Sequence, residues 1–240
     1  MSDDRRSGRL GVIAGSGVRA IELCPDGEHG EHGGVTVLET DTTAVIGRHG
    51  VEPTPTMPHL VDHRANLAAL IAAGCDRVLA LCSTGSMRAD WPVGTVAAPD
   101  DIFAPWATPE WFGDGRDHVV PTFAPAWRAT VIETWRAATA TPIIDGGTYV
   151  QTRGPRFESR AEVRFYGTVG DVVGMTMATE LVLANQVGLD YAAVCAVDNL
   201  GDGLSDAPLV YDDFVQGVAT NRERMLADAI AVVAALARPS

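Results

Sequence analysis

Short runs of β-branched and other apolar residues alternate along the chain with longer stretches whose apolar residues recur at helical spacing. The short runs are typical of buried strands, and the longer stretches are typical of amphipathic helices. Strands are predicted at residues 9–14, 35–39, 43–47, 77–81, 142–150 and 191–197, and helices at 65–73, 126–138, 159–169, 177–187 and 211–237. This alternation predicts an α/β fold in which a twisted mixed β-sheet is flanked by helices.

The chain shows neither internal repeats nor a low-complexity linker along its 240 residues. One domain is therefore expected over residues 9–240, preceded by a disordered tail at residues 1–8. Residues 99–115 are rich in proline, tryptophan and aspartate and are expected to form a long surface excursion. Because no apolar run reaches the length of a signal peptide or a membrane span, we expect a cytoplasmic protein without a membrane partner.

The net charge of −13 argues against a nucleic-acid partner, since nucleic-acid binding requires basic patches. All of the formal positive charge comes from 18 arginines, and the absence of lysine excludes a Schiff-base lysine and a phosphate-loop lysine. The four cysteines are Cys24, Cys75, Cys82 and Cys195, and none of them forms a CxxC pair. Free thiols are therefore expected, rather than a disulfide framework or a metal site.

A glycine-rich turn, Gly15-Ser16-Gly17, follows the first predicted strand and fits the GxGxxA pattern of a dinucleotide site. A dinucleotide fold needs a full helix after this turn, and residues 24–34 hold a proline and four glycines that leave little room for one. The dinucleotide hypothesis is therefore disfavoured. The turn still offers backbone N–H groups and the Ser16 hydroxyl as a cradle for an anion.

Two further segments follow predicted strands and carry groups that suit an oxyanion. Arg48 and His49 lie between glycines, and an arginine provides a planar fork of donors that matches a phosphate dianion. Residues 82–86 are expected to form a small-residue loop that contains Ser83. Each segment alone is more typical of a surface loop or a polar turn. Ligands gather at the carboxyl ends of strands in α/β sheets, so the three segments together favour an anion site.

The segments 154–162 and 175–180 offer groups for a flat ring and a sugar. Phe157 can stack on a heterocycle while Glu158 hydrogen-bonds its edge. Ser159 and Glu162 have the spacing of a helix capping box, which leaves Phe157 and Glu158 unexplained. Met175 can pack on a sugar face, and Thr176 can donate to an anion at a helix start; the alternative is a buried methionine and a capping threonine.

Asp198 and Asn199 end the apolar strand predicted at residues 191–197, where the floor of a pocket is expected. The alternative is an ordinary turn that asparagine favours. Taken in order, these six segments resemble the trimeric purine nucleoside phosphorylase and methylthioadenosine phosphorylase family from about Gly11 to Asn199. The resemblance rests on GVIAGSG, RHG with HRANLAAL after it, GPRFESRAE and VGMTMATELVLANQVGLDYA.

The resemblance implies a nucleoside phosphorylase fold, a homotrimer or a dimer of trimers, and phosphorolysis of a purine nucleoside with inorganic phosphate as co-substrate and no cofactor. It implies that phosphate is bound by Ser16, Arg48, His49, Ser83 and Thr176. It implies that Met175 contacts the ribose, and that His59 reaches the 5′ region of a neighbouring subunit's site. The base would be bound by Phe157, Glu158 and Asn199, and the residues expected to act in catalysis are Asn199, Glu158 and His49.

The two base-edge positions favour a 6-oxopurine. Adenosine-type members of the family have an aspartate where Asn199 stands and a small residue where Glu158 stands. A 6-oxopurine presents N1–H to the Glu158 carboxylate, and its O6 and N7 can accept from the Asn199 amide. A slip of one residue would place Asp198 in the pocket and restore the 6-amino preference.

The substrates expected are inosine, guanosine or 5′-methylthioinosine. A methylthioadenosine phosphorylase, a hydrolase of the same superfamily and a non-catalytic nucleoside-binding protein remain as alternatives. The sequence also leaves undecided which residues contact the 5′ group of the substrate. Leu209, Tyr211 and Phe214 form either an apolar 5′ pocket or, as we favour from the sequence, the core face of the last helix.

Overall fold

The computed structural model describes residues 8–50 and 55–237. Of the tail expected at residues 1–8, residues 1–7 lie outside the described part, and the N–H of Gly8 donates to Asp76 Oδ2 at 2.9 Å. The described residues confirm the α/β class, with a mixed sheet between two layers of helices. No helix among them is long and apolar enough to cross a membrane.

One sheet runs through the described chain. Its strands are β1 (Arg9–Ala14), β2 (Glu28–His32), β3 (Val35–Glu39), β4 (Thr43–Gly47), β5 (Cys75–Ser86), β6 (Val96–Ala98), β7 (Asp101–Phe103), β8 (Ile144–Asp145), β9 (Thr148–Gln151), β10 (Val172–Gly174) and β11 (Asp190–Leu200). The main path is β2-β3-β4-β1-β5-β10-β9-β7, and β11 pairs with both β5 and β6. β11 follows β5 in parallel along nearly its whole length, and the other edge of β5 pairs first with β1 and then with β10.

Helices cover both faces of this sheet. They are α1 (Ala20–Leu23), α2 (His63–Ala72), α3 (Pro125–Ala138), α4 (Arg160–Tyr166), α5 (Met177–Val187) and α6 (Tyr211–Leu236). Leu10 and Val12 of β1 pack with α3 and α6 on one face, whereas Ile13 packs with α2 and α5 on the other. Burial on both faces explains why β1 is almost continuously apolar.

The structure differs from the sequence predictions at four elements, in kind or in extent. The loop predicted at residues 82–86 is the continuation of β5, because these residues pair with β11 and β10. The strand predicted at 142–150 is split into β8 and β9 by Gly146 and Gly147, whose φ angles are +119° and +104°. The excursion at 99–115 contains β7, which pairs with β9. The helix predicted at 159–169 spans Arg160–Tyr166.

β2 was not predicted from the sequence; it lies within the glycine-rich stretch 24–34 and pairs antiparallel with β3. The hairpin predicted at residues 35–47 is confirmed by the antiparallel pairing of β3 and β4. All four cysteines are free and buried.

Candidate active site

The carboxyl ends of four neighbouring strands meet at one edge of the sheet, because β4, β1, β5 and β11 are mutually parallel. Ala14 lies opposite Gly47 and Ser83 lies opposite Ala196 in these ladders. The structure thereby brings the turn after β1, the Arg48-His49 segment, Ser83 and the end of β11 to the same edge. This is the position at which α/β sheets bind ligands.

The glycine turn after β1 leads into a helix of only 4 residues, α1, and then into β2. The chain therefore lacks the crossover helix that a dinucleotide fold requires at this point. Ser16 is exposed at the tip of the turn. A Cβ atom added to Gly15 would overlap the Leu81 carbonyl oxygen and lie 2.5 Å from Arg48 Nη1, so glycine lets the turn lie directly against the guanidinium.

Arg48 is only 3% exposed and is held by Glu180 of α5. Its Nε donates to Glu180 Oε1 at 2.6 Å, and its Nη2 donates to Glu180 Oε2 at 3.1 Å. Nη1 also donates to the Leu81 carbonyl at 2.9 Å, and Nη2 contacts Cys82 Sγ at 3.4 Å. Within the described chain these contacts engage all but one of the five guanidinium N–H groups, and the remaining one is on Nη1, beside Gly15.

Glu180 is fully buried and was not identified from the sequence. It also accepts from Tyr191 Oη at 2.7 Å, and His63 Nδ1 lies 3.3 Å from its Oε1. Burial alone would raise the pKa of Glu180, but the charge of Arg48 and the hydrogen bonds outweigh it and lower that pKa to about 2. The available signal was a lone carboxylate on the apolar helix 177–187, which requires a buried cation as its partner.

His49 is partly buried, and its Nδ1 lies 2.9 Å from the carbonyl oxygen of Thr56. Since a carbonyl only accepts, this contact places a proton on Nδ1 and leaves Nε2 as the acceptor nitrogen of the neutral ring. Burial and then the charge of Arg48 lower the pKa of His49 below its ordinary value. The ring is therefore neutral at neutral pH in this arrangement.

Ser83 and Asp198 form one hydrogen-bonded group with Asn221 of α6. The Ser83 hydroxyl donates a short hydrogen bond to Asp198 Oδ2, and Asn221 Nδ2 donates to Asp198 Oδ1 at 2.7 Å. Asp198 is 3% exposed, and burial raises its pKa. The Ser83 proton is thus committed to Asp198, a contact that the sequence analysis did not foresee.

Thr176 is buried at the N-cap position of α5, and its side chain makes no capping hydrogen bond. The alternative of a capping threonine is therefore not supported. The backbone N–H groups of Thr176 and Met177 point to Tyr149 Oη at 3.3 and 3.4 Å. α5 has 11 residues, so its N-terminal dipole favours an anion at this end.

A second region of the edge holds a cavity of about 470 Å³ that Phe157, Glu158, Asp202 and Leu209 help to line. Glu158 Oε1 accepts from Thr152 Oγ1 at 2.7 Å, and burial raises the pKa of Glu158. The capping box of Ser159 and Glu162 is confirmed at the start of α4. Capping therefore uses Ser159 and Glu162 and leaves Phe157 and Glu158 facing the cavity.

Met175 contacts Gly154, which begins the loop at residues 154–158 that leads to this cavity. A Cβ atom at Gly154 would overlap Met175 Sδ, so the thioether lies directly on the backbone of the 154–158 loop. Met175 follows β10, and Thr152 N–H donates to the Gly174 carbonyl at 2.9 Å. Met175, Phe157 and Glu158 therefore share one corner of the sheet.

Asp198 is the unpaired residue of a β-bulge between Val197 and Asn199, and it makes different contacts from Asn199. Asp198 faces α6, since Asn221 binds its carboxylate and a Cβ atom at Gly217 would overlap its carbonyl oxygen. Asn199 is 7% exposed, lies opposite Gly85 in the ladder with β5, and donates from Nδ2 to the Leu200 carbonyl at 3.1 Å. Gly85 in turn pairs with Val173 of β10, which leads to Met175.

Leu209, Phe214 and Tyr211 lie near the cavity and not in the hydrophobic core. The prediction that they form the core face of the last helix was therefore wrong. Leu209 lines the cavity, and the Phe214 ring lies 5.9 Å from that of Phe157 and 6.0 Å from that of Tyr211. Tyr211 is 66% exposed, and the buried face of α6 begins only at Gly217.

His59 is exposed in a short 3₁₀ turn, Pro58–Leu60, and does not line the cavity beside Phe157 and Glu158. Within one chain it therefore lies apart from the other candidate residues. Its predicted contact with a neighbouring subunit's site stays a prediction.

The edge of the sheet thus combines a glycine turn and a buried arginine, which suit an anion, with an adjoining aromatic and acidic cavity, which suits a flat ring. Comparison with known families agrees, because the model of the phosphorylase superfamily matches residues 9–234. The chain therefore belongs to the phosphorylase superfamily.

Several curated relatives align with most of the chain. A probable 6-oxopurine nucleoside phosphorylase of Archaeoglobus fulgidus is 30% identical over 231 residues, covering 90% of this chain and 92% of the relative. The 6-oxopurine nucleoside phosphorylase of Pyrococcus furiosus is 34% identical and covers 76% of this chain and 73% of its own. The S-methyl-5′-thioadenosine phosphorylase of Mycolicibacterium smegmatis is 36% identical, and the alignment covers 81% of this chain and 78% of the relative.

Solved structures share the fold. A methylthioadenosine phosphorylase from Schistosoma mansoni in complex with adenine superposes with a TM-score of 0.76 at 22% identity, covering 97% of this chain and 93% of its own. A methylthioadenosine phosphorylase from an antarctic soil metagenomic library gives a TM-score of 0.80 at 23% identity, and the superposition covers 96% of this chain and 87% of the other. These likenesses confirm the nucleoside phosphorylase fold.

Proposed function

We propose that this phosphorylase cleaves 6-oxopurine ribonucleosides with inorganic phosphate and releases the free base and a ribose 1-phosphate. As a member of the superfamily it is an enzyme, a pentosyltransferase. The observation that carries the substrate proposal is the orientation of the two residues at the end of β11. Asn199 lies opposite Gly85, which pairs on its other side with Val173, two residues before Met175, whereas the Asp198 carboxylate is bound by Ser83 and Asn221 on the α6 side.

The hydrogen-bonding pattern of Glu158 and Asn199 supports an oxopurine. Thr152 occupies Oε1 of Glu158, so Oε2 is the oxygen that can accept from the N1–H of a 6-oxopurine. One N–H of the Asn199 amide is bound by the Leu200 carbonyl, and the other can donate to N7 or O6 of the base. Adenine has a lone pair at N1, so a Glu158 carboxylate would meet it without a proton between them. A site built for one such pattern rejects the other by a factor of about 10⁴.

The anion edge supports phosphate as the attacking group. The remaining Nη1–H of Arg48, the backbone of the turn at Ser16 and the N-terminus of α5 at Thr176 all provide donors or positive potential. His49 Nε2 can accept from the O–H of a phosphate dianion. A dianion held near C1′ stabilises the oxocarbenium-like ribose as the glycosidic bond breaks, and the gain counts because it is larger in the transition state.

The leaving purine gains negative charge as the bond breaks. A donor from Asn199 at N7 stabilises that charge, and loss of one well-placed donor of this kind costs about 3 kcal/mol, or roughly a hundredfold in rate. Asn199 and Glu158 therefore act on the leaving base, while His49 acts on phosphate. No metal or organic cofactor is required for this reaction.

The 5′ side supports a second substrate of the same class. Leu209 and Phe157 are apolar residues that line the cavity, and Phe214 packs against Phe157. These apolar groups suit a 5′-methylthio group as well as a hydroxymethyl group. We therefore include 5′-methylthioinosine among the substrates. Cleavage of methylthioadenosine is the alternative function, because the relative from Mycolicibacterium smegmatis is an S-methyl-5′-thioadenosine phosphorylase. Glu158 and Asn199, which face the base edge in this proposal, argue against it.

The proposal includes a cytoplasmic homotrimer, or a dimer of trimers, in which His59 contacts a neighbouring subunit's site. Met57 and Leu60 support an interface around His59, since they are apolar and 48% and 65% exposed. Apolar groups clustered on a surface are typical of contact regions.

Phosphate dependence tests the reaction class. Inosine is incubated with the enzyme with and without phosphate, and the sugar product is identified. Ribose 1-phosphate formed only with phosphate supports the proposal. Free ribose formed at an equal rate without phosphate would make the chain a hydrolase, and binding without turnover would make it a nucleoside-binding protein.

A further inference from the structure

Asp198 has no place in the reaction described above, yet it connects the phosphate edge with the last helix. Its Oδ2 accepts from the Ser83 hydroxyl, and its Oδ1 accepts from Asn221 of α6 at 2.7 Å. Asn221 also donates to the Val197 carbonyl at 2.9 Å, which fixes the amide and so fixes the carboxylate between two donors. The carboxylate is therefore held where it controls the direction of the Ser83 hydrogen bond.

The direction of that hydrogen bond decides what Ser83 offers to phosphate. A serine hydroxyl has one proton and two lone pairs. While Asp198 is ionised, the Ser83 proton points to the carboxylate, and the hydroxyl has no donor left for an anion. If Asp198 takes up a proton from solvent, its O–H donates to Ser83 Oγ, and the Ser83 proton is released to donate to a phosphate oxygen.

We infer that Asp198 is a positioning residue that couples phosphate binding at Ser83 to the uptake of one proton. The inference rests on the proposed function, to which it adds the phosphate contact of Ser83 that the family resemblance implies. Protonation also removes the repulsion between a buried carboxylate and the phosphate dianion, so both effects act in the same direction.

The surroundings of Asp198 fit this role. A cavity of about 20 Å³ lies between Ser83, Asp198, the glycine turn and α6, which is room for about one water molecule to carry the proton. The titratable or charged groups around it are Cys82 of β5 and Arg222 of α6, with Arg224 further along the helix. Arg222 is held by Glu22 at 2.7 Å, and Arg224 donates to the Gly94 carbonyl at 2.8 Å.

Burial, the largest influence, raises the pKa of Asp198, and the hydrogen bonds from Asn221 and Ser83 reduce that rise. A carboxyl group with a raised pKa binds its proton more readily than an exposed aspartate does. Phosphate binding should therefore weaken as the pH rises through the pKa of Asp198, by up to about tenfold for each pH unit.

The test compares the wild-type enzyme with Asp198→Asn. The amide is nearly isosteric, its oxygen still accepts from Asn221, and its N–H groups donate to Ser83 Oγ at every pH, which leaves the Ser83 proton free. Asp190→Asn is the matched control, since Asp190 lies exposed on the same strand. Inorganic phosphate is titrated into each protein by calorimetry in two phosphate-free buffers of different ionisation enthalpy.

The wild-type enzyme and Asp190→Asn are expected to take up about one proton more than Asp198→Asn when phosphate binds at a pH above the pKa of Asp198. Protons gained or lost by phosphate itself are the same for all three proteins, so they cancel when the proton uptake of the proteins is compared. Infrared difference spectra give a second readout that needs no variant, because a protonated carboxyl band should appear when phosphate is added to the wild type. If Asp198→Asn does not fold, Asp198→Ser removes the same titrating group.

Equal proton uptake by wild type and variant, with phosphate still bound and used, would overturn this inference and leave the proposed function standing. A protein that neither binds phosphate nor requires it for turnover would overturn the proposed function, and the inference with it.

Discussion

Glu180 holds Arg48 in a two-pronged ion pair beneath the carboxyl edge of the sheet, with Nε–Oε1 and Nη2–Oε2 distances of 2.6 and 3.1 Å. Both side chains are almost completely buried, so neither charge is stabilised by water. The pair fixes the guanidinium so that its remaining N–H lies beside Gly15. Arg48 is therefore oriented before any ligand arrives, which reduces the ordering that phosphate binding requires.

Glu180→Gln should destabilise the protein by about 3–5 kcal/mol, because it leaves the buried charge of Arg48 without a partner. It should also raise the KM for phosphate. Urea unfolding measures the first effect and initial rates measure the second. Glu133→Gln, on the exposed side of α3, is the control and should change stability by no more than about 0.5 kcal/mol. Equal stability of the two variants would show that Arg48 is held by other groups.

Gly15→Ala should displace Arg48, because the new Cβ atom would lie 2.5 Å from Nη1 and overlap the Leu81 carbonyl. We expect a loss of about 1–3 kcal/mol in stability and roughly a hundredfold in phosphate-dependent kcat/KM. Gly115→Ala is a matched control, since an added Cβ atom there meets no atom within 4 Å. If Gly15→Ala retained full activity, the turn would not need to approach the guanidinium.

The Glu158 carboxyl group should lower the free energy of unfolding at neutral pH. Burial raises its pKa, so the folded state binds the proton more tightly than the unfolded chain does. That stabilising difference is complete below the ordinary pKa of the carboxyl and is lost as the pH rises through the raised pKa. Glu158→Gln should therefore raise the Tm at pH 8 relative to wild type by more than it does at pH 4, while it lowers the kcat/KM for inosine.

Thermal scans at the two pH values check this prediction, with Glu133→Gln again as the control. A constant difference in Tm between wild type and Glu158→Gln at both pH values would mean that the carboxyl is not perturbed by the cavity. Such a trade between stability and activity is common at sites that bind ligands.

The sequence predicted the anion edge because the relevant signals are local. Gly15, Arg48 and Ser83 each follow an apolar run, and parallel strands bring their carboxyl ends together whatever the exact pairing. The continuation of β5 through residues 82–86 was missed because cysteine, serine and glycine have weak strand preferences. Those residues become a strand through pairing with β11 and β10, which tertiary structure alone provides.

The partners of the site residues were harder to predict, because they lie far apart in sequence. Glu180 is 132 residues from Arg48, and Asp198 is 115 residues from Ser83. The family resemblance supplied the residues expected to touch ligands, but it did not supply the side chains that hold them. The direction in which Asp198 and Asn199 turn depends on a β-bulge, which an alternating strand pattern does not reveal.

Asn199→Asp tests the contribution of the amide to base choice. An aspartate can accept from the 6-amino group of adenine and, when protonated, donate to N7, but it repels O6 when ionised. The ratio of kcat/KM for inosine to that for adenosine should fall by roughly a hundredfold or more. An unchanged ratio would place the recognition of the base on another residue.

The most direct measurement is kcat/KM of the wild-type enzyme, with saturating phosphate, for inosine, adenosine and their 5′-methylthio analogues. The base-edge geometry of Glu158 and Asn199 predicts that both 6-oxopurine nucleosides are cleaved and that each is preferred over its 6-amino counterpart by a factor approaching about 10⁴. A clear preference for adenosine or methylthioadenosine would contradict the assignment and make the chain a 6-aminopurine phosphorylase.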